Sequence, residues 1–430
     1  MRLVILLLSL ESASVLAYAL VARGWFYTRT RPHSVDAGEP AAGGIGTPPR
    51  KVLHPVLGFA NRPGLAVTAV ANPERLRHMV GEGLESPWLE LAANNHGYFS
   101  ERDYPTAADD ELFVVGVFGG SAAQWFALQA GPELARQLAG MPGLEGRRVE
   151  VLCFAQGGFK QPQTLHALTY FAARGQRFDL ILTIDGFNEV ALAAANLALG
   201  FDPALPSTAQ LVPLVELAGA GEAPSAVGSR WCRALALRAA VLGQQARAGD
   251  TRSAAVWLVQ QVRLSFTRRS LALAEAELSG SAPADGSPLY LLAPAGRDPD
   301  RTPREAVAVW ARASRLTAAV AEALGTPHLH VIQPNQYHSA HRFSPAERRL
   351  ALNERSPYRE AVHAGYPLLL DEVDSLAASG VHVISAVDVF DAVDEPVYAD
   401  DCCHYTQLGN EILARRIAHE IGPLLGPDAP

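Results

Sequence analysis

The sequence predicts an α/β protein: a doubly wound parallel sheet with a helical insertion between its third and fourth strands and an apolar N-terminal segment. Three observations lead there. Short apolar runs at 111–118, 147–155 and 178–186 have the length and composition of buried strands. Helical segments at 122–140 and 161–175 lie between them with short links, the alternation of parallel strands joined by right-handed crossovers. Each run stops on small or polar residues, at the sheet edge where open parallel sheets bind ligands.

The N-terminal stretch MRLVILLLSLESASVLAYALVARGWFY (1–27) is about as long as a bilayer is thick when helical. Trp25, Phe26 and Tyr27 follow it like an interfacial belt. Glu11 interrupts it, at a cost of roughly 2.5–3.5 kcal/mol at a bilayer centre. A signal peptide cut near Ala17-Tyr18-Ala19 competes with an uncleaved transmembrane anchor; the apolar run continues past that site and favours the anchor. Arg23, Arg29 and Arg31 follow the span and Arg2 precedes it, which argues for a cytoplasmic body. Residues 28–50, rich in Pro, Gly, Ala and Thr, read as a linker, and 51–110 as an N-terminal extension with few strong signals.

The core then unfolds element by element. The first strand (111–118) ends on Gly119-Gly120-Ser121, and the next helix carries a Gly131-Pro132 break. The second strand (147–155) ends on Ala155-Gln156-Gly157-Gly158, and its helix stops at Gly175. The third (178–186) ends on Asp185-Gly186-Phe187-Asn188. So 111–190 is the first part of the core and 191–327 a mainly helical insertion. The insertion has helical stretches at 230–249, 252–280 and 303–325 and a Gly/Pro/Ser/Asp-rich segment at 280–304. The core resumes over 328–425, with strands at 328–334 and 380–390 and helices near 358–379 and 406–425.

Composition narrows the function. The net charge is −8, lysine occurs only at Lys51 and Lys160, and no basic cluster appears, so nucleic acid is not an expected partner. The four cysteines, Cys153, Cys232, Cys402 and Cys403, form no C-x-x-C pair and are too few for a disulfide scaffold. No metal or cofactor is expected.

Acyl transfer at a serine needs a hydroxyl, a base, a group that orients the base, and donors for the oxyanion. Ser121 supplies the hydroxyl and His404 the base. Asp401, three residues before His404, is the expected orienting acid. The N–H groups of Ser121 and Gly158 and the amide of Asn188 can converge on one oxyanion. Against this, Ser121 and Asn188 also suit helix caps, and His404 suits a satisfied core histidine; the three together favour the catalytic reading.

At these residues the chain resembles the SGNH/GDSL hydrolases. GVFGGSAAQ is similar to the family's nucleophile block, VEVLCFAQGGFKQPQTL to its glycine block, LILTIDGFNEV to its Gly-x-Asn block and DDCCHYTQLGNEIL to its Asp-x-x-His block. The resemblance spans 111–190 and 328–424. It implies a three-layer α/β/α sandwich resembling flavodoxin, and a serine esterase or O-acyl hydrolase with Ser121, Asp401 and His404 as triad and Ser121, Gly158 and Asn188 as oxyanion donors. It implies ester substrates, O-acyl groups of envelope or extracellular glycans or lipids, and an extracytoplasmic body. An O-acyltransferase and a non-catalytic binding or assembly protein are the alternatives. Cys153 and Ala155 depart from the glycine block, where Asn and Gly are usual. The absence of Gly-x-Ser-x-Gly at Ser121 argues against an α/β-hydrolase.

Other residues attract lesser expectations. Gln333, Asn335 and Tyr337, in VIQPNQYHSAHR, are expected to bind substrate hydroxyls, with a plain polar loop as the alternative. Glu189 reads as solvated first-turn charge and Asp185 as structural. A bridge from Cys153 to Cys402 or Cys403 competes with buried free thiols, the favoured reading.

Overall fold

The computed structural model describes residues 2–22, 25–28, 50–71, 73–81, 86–198, 201–218, 251–279, 301–354, 356 and 358–426, with isolated positions between 233 and 244. Most of the expected linker, most of the stretch 230–249 and the segment 280–300 lie outside the described residues. The chain divides into two units: Met1–Pro40 with Val215–Tyr290, and Ala41–Leu214 with Leu291–Pro430.

The larger unit opens with an antiparallel hairpin, β1 (Lys51–His54) and β2 (Gly58–Asn61). Five parallel strands follow: β3 (Leu112–Gly119), β4 (Arg148–Cys153), β5 (Leu180–Asp185), β6 (His328–Ile332) and β7 (Val383–Ser385). Their order is β4-β3-β5-β6-β7. Every expected core strand is present, although β7 keeps only three residues of 380–390, Val383, Ile384 and Ser385. The sheet is flanked by helices on both faces, as the sandwich requires.

In chain order the helices are α1 (Arg2–Ala22), α2 (Pro73–Val80), α3 (Ser121–Ala139), α4 (Gln163–Ala173), α5 (Phe187–Ala198) and α6 (Thr208–Ala218). Then come α7 (Ala254–Ser279), α8 (Thr302–Ala323), α9 (Pro345–Ala351), α10 (Arg359–Asp371), α11 (Val373–Ala378) and α12 (Gln407–Ile421). Side chains alternate across a strand, so β3 feeds two cores. Phe113, Val115 and Val117 pack with α3 and α12, while Leu112, Val114 and Phe118 pack on the opposite side with Phe154 and Phe171. The α3 helix runs unbroken through Gly131-Pro132. Gly131 faces β4, where a Cβ would lie 3.4 Å from Val151 Cβ.

The insertion is shorter than expected. Helices α5 and α8 belong to the larger unit, and the second unit takes only Val215–Tyr290 from this region. Trp310 of α8 explains why: it is fully buried, and its indole N–H donates to Asp185 at the end of β5 at 2.7 Å.

The smaller unit contains α1 and α7. Among the described residues, no helix is long and apolar enough to cross a membrane, so the expected transmembrane segment is not found. Glu11, which interrupts the apolar run, has protein partners. Its carboxylate accepts from Ser253 Oγ at 2.6 Å, Ala255 N at 3.0 Å, Ala254 N, and Tyr27 OH at 2.6 Å. It thus caps the N-terminus of α7, where backbone donors and the helix dipole favour an anion.

Gly119 is the residue that closes β3. Its φ is +145°, and a Cβ would sit 2.1 Å from Ile184 O on the neighbouring strand. Gly119→Ala is predicted to cost about 2–4 kcal/mol from strained backbone and steric displacement, read as a fall in the urea midpoint with unchanged slope.

Candidate active site

Ser121 is the first residue of α3, at the carboxyl end of β3. His404 lies just before α12, whose N-cap is Thr406. The fold brings them together: His404 Nε2 and Ser121 Oγ are 2.8 Å apart. On the other side of the ring, His404 Nδ1 is 2.5 Å from Asp400 Oδ2. The carboxylate therefore fixes Nδ1 as the protonated nitrogen and leaves the Nε2 lone pair facing the hydroxyl. Asp400 and His404 are both buried and Ser121 is partly exposed, which leaves the hydroxyl reachable.

The carboxylate bonded to the His404 ring is thus Asp400 and not the expected Asp401. Asp400 Oδ1 accepts the backbone N–H groups of Cys402 at 2.9 Å, Cys403 at 3.1 Å and His404 at 3.3 Å. This folds the loop over its own carboxylate and puts the ring four residues on, rather than three, within reach. Asp401 turns away and accepts from Asn353 Nδ2 at 2.8 Å. Arg75 of α2 completes the setting, with Nε 3.0 Å from Asp400 Oδ2.

Electrostatics separates the two acids. Burial alone would raise the Asp400 carboxyl, but His404 and Arg75 outweigh it and hold it well below its ordinary value of 3.8. Burial raises Asp401 to about 6, aided by the neighbouring Asp400 charge. Burial would lower His404; the Asp400 carboxylate, and after it Cys403, raise it above its ordinary 6.5.

Asn188 stands in the first turn of α5. Its Nδ2 donates one hydrogen to Phe159 O at 2.7 Å; the other has no partner among the described residues. That amide fills the space beside Gly120, where a Cβ would lie 2.1 Å from Asn188 Nδ2. This answers why β3 ends on two glycines: the first clears β5, and the second clears the amide next to Ser121. In the glycine block, Gly157 is the residue whose Cα faces Ser121; a Cβ there would be 3.8 Å from Ser121 Cβ. Gly158, at φ +88°, faces Gln210 and Phe59.

The N-terminal extension holds this block in place. Lys51 Nζ donates to Gly157 O at 2.9 Å, and Asn61 N donates to Gln156 Oε1 at 2.9 Å. Burial pulls the Lys51 ammonium down to about 7. Glu189 is buried rather than solvated. Its two oxygens accept Gly186 N at 2.7 Å and Gln161 N at 2.9 Å, tying the Asn188 turn to the glycine block. Burial, with Asp185 nearby, raises its carboxyl. Asp185 is structural as expected, accepting from Trp310 and lying 2.7 Å from His330 Nε2.

Gln333, Asn335 and Tyr337 are buried and engage the protein. Asn335 Nδ2 donates to Cys402 O at 3.1 Å, Tyr337 OH to Asp401 O at 3.0 Å and Gln333 Nε2 to Tyr405 OH at 3.3 Å. They position the 400–405 loop instead of lining a substrate cleft. The described cysteines are free, so the weighed bridge from Cys153 is not formed; Cys153 Sγ lies 3.6 Å from Ala155 O. Cys402 and Cys403 instead lie beside each other, with sulfurs 3.5 Å apart, and Cys403 Sγ is 4.0 Å from Ser121 Oγ.

No protein-family model matches the chain, and no curated protein matches it.

The pKa shifts set a stability window. The depressed Asp400 contributes stability above its unfolded value of 3.8, lost as pH falls. The raised His404 contributes stability below 6.5, lost as pH rises through its folded value. Asp400→Asn removes both contributions. Its deficit against wild type in chemical denaturation is therefore predicted to be greatest between pH 3.8 and 6.5 and to narrow on either side. Asp401→Asn is predicted to show no such window.

Proposed function

We propose that this chain is a serine-dependent esterase or O-acyl hydrolase of the SGNH type. The observation that carries the reading is the unbroken Asp400–His404–Ser121 relay at the carboxyl edge of the sheet. Ser121 Oγ attacks an ester carbonyl carbon while His404 Nε2 takes its proton. Asp400 holds the imidazole and stabilises the imidazolium that forms. The carbonyl oxygen becomes an oxyanion at the N-terminus of α3, where Ser121 N–H, the second Asn188 amide hydrogen and Gly158 N–H are the donors in this reading. Collapse returns the proton from Nε2 to the leaving alcohol and leaves an acyl-serine. Water, deprotonated by the same nitrogen, then releases the acid. O-acyl groups on glycans or lipids are the substrate class that the resemblance implies.

Four outcomes follow for the full chain. A fluorophosphonate probe labels Ser121, and Ser121→Ala and His404→Ala abolish the labelling. Asp400→Asn slows it by about 10⁴-fold, whereas Asp401→Asn leaves it close to wild type. Labelling of folded His404→Ala at the wild-type rate would refute the reading. Gly120→Ala, which pushes Asn188 aside, reduces ester hydrolysis by about 10²–10³-fold, the usual effect of losing one oxyanion donor. The acid limb of the pH–rate profile, which reports the neutral imidazole, has its midpoint above 6.5 because His404 is raised.

A further inference from the structure

Beside the relay stands a second donor set: two thiols that the reaction does not use, sharing His404 with the relay. Cys402 Sγ, Cys403 Sγ and a ring nitrogen of His404 lie within 4.8 Å of one another. The two sulfurs are 3.5 Å apart. Two thiolates on a tetrahedral ion at about 2.3 Å would be about 3.8 Å apart, so the pair is already close to ligand spacing. Asp400 holds Nδ1 of the same ring, the carboxylate–histidine arrangement that fixes a metal-binding imidazole and leaves Nε2 for the ion. Three backbone N–H bonds to Asp400 and the side-chain bonds from Asn335 and Gln336 to Cys402 O fix the loop that carries all three donors. Cys402 and Ser121 are partly exposed and give the ion a route in.

We infer that Cys402, Cys403 and His404 form a site for a soft divalent cation of the zinc–cadmium class. The two thiolates and His404 Nε2 are three ligands, and water or Ser121 Oγ takes the fourth position. Binding releases the thiol protons to solvent. It also occupies the lone pair that faces Ser121. The ion therefore acts as a reversible inhibitor, a consequence that rests on the esterase reading, whereas the binding itself does not.

The test is Cd²⁺ titration of the reduced full chain, followed by the ultraviolet thiolate-to-metal charge-transfer band. Wild type and Ser121→Ala are expected to give the band with one equivalent of Cd²⁺. Cys402→Ser/Cys403→Ser loses it, while Cys153→Ser and Cys232→Ser keep it. Asp400→Asn binds about 10–100-fold more weakly. A band that survives in the folded double variant, or a folded wild type that gives none, overturns the site. For inhibition, fluorophosphonate labelling of wild type should stop in Cd²⁺ and return on chelation; labelling unchanged while the band is present overturns that part. A wild type that is unlabelled without Cd²⁺ counts against the esterase reading alone, because the band still decides the metal site.

Discussion

One buried carboxylate organises the site. Asp400 takes three backbone N–H groups from its own loop, the Nδ1 hydrogen of His404 and the ion pair with Arg75. A carboxylate with this many donors stays ionised in a dry setting, and its charge in turn fixes which nitrogen of His404 is protonated. That tautomer leaves the Nε2 lone pair facing the Ser121 hydroxyl. Removing the charge would leave buried donors without an acceptor, which costs more than the bonds themselves contribute.

The rest of the architecture delivers partners to that carboxylate and clears space around Ser121. The parallel sheet brings the ends of β3, β4 and β5 side by side. Gly119 and Gly120 then allow β5 and Asn188 to approach the backbone more closely than any side chain would permit. Glu189, through Gly186 N and Gln161 N, locks the Asn188 turn to the glycine block. Lys51 holds that block from the hairpin side. The buried polar groups of 333–337 do the same for the loop of Asp400. Polar side chains buried this deeply are tolerated because they are bonded to backbone groups that would otherwise go unsatisfied.

Much of this was legible in the sequence, and the failures have physical reasons. Short apolar runs bounded by glycine gave the strands, and strand-end position singled out Ser121, Asn188 and His404. Spacing alone chose Asp401 over Asp400, because a loop has no fixed period and the side-chain fold of Asp400 over its own backbone leaves no pattern. Arg75 and Lys51 were invisible: they reach the site from a region without periodicity, and only tertiary contact reveals them. Gln333, Asn335 and Tyr337 fall at a strand end, where a polar residue can equally face substrate or brace a neighbouring loop. Glu189 misled for a similar reason, since a first-turn acid usually meets water and here meets Gly186 N and Gln161 N. Adjacent cysteines match no ligand-spacing template, so the Cys402–Cys403 pair carried no signal until the loop was folded.

Asp400, and not Asp401, holds the Nδ1 hydrogen of His404. Proton NMR of the full chain tests it most directly, by way of the imidazole N–H resonance. Wild type and Asp401→Asn should give a signal well downfield of the amides, assigned to His404 by its loss in His404→Ala and absent from folded Asp400→Asn. A downfield signal that persists in Asp400→Asn and vanishes in Asp401→Asn would contradict it.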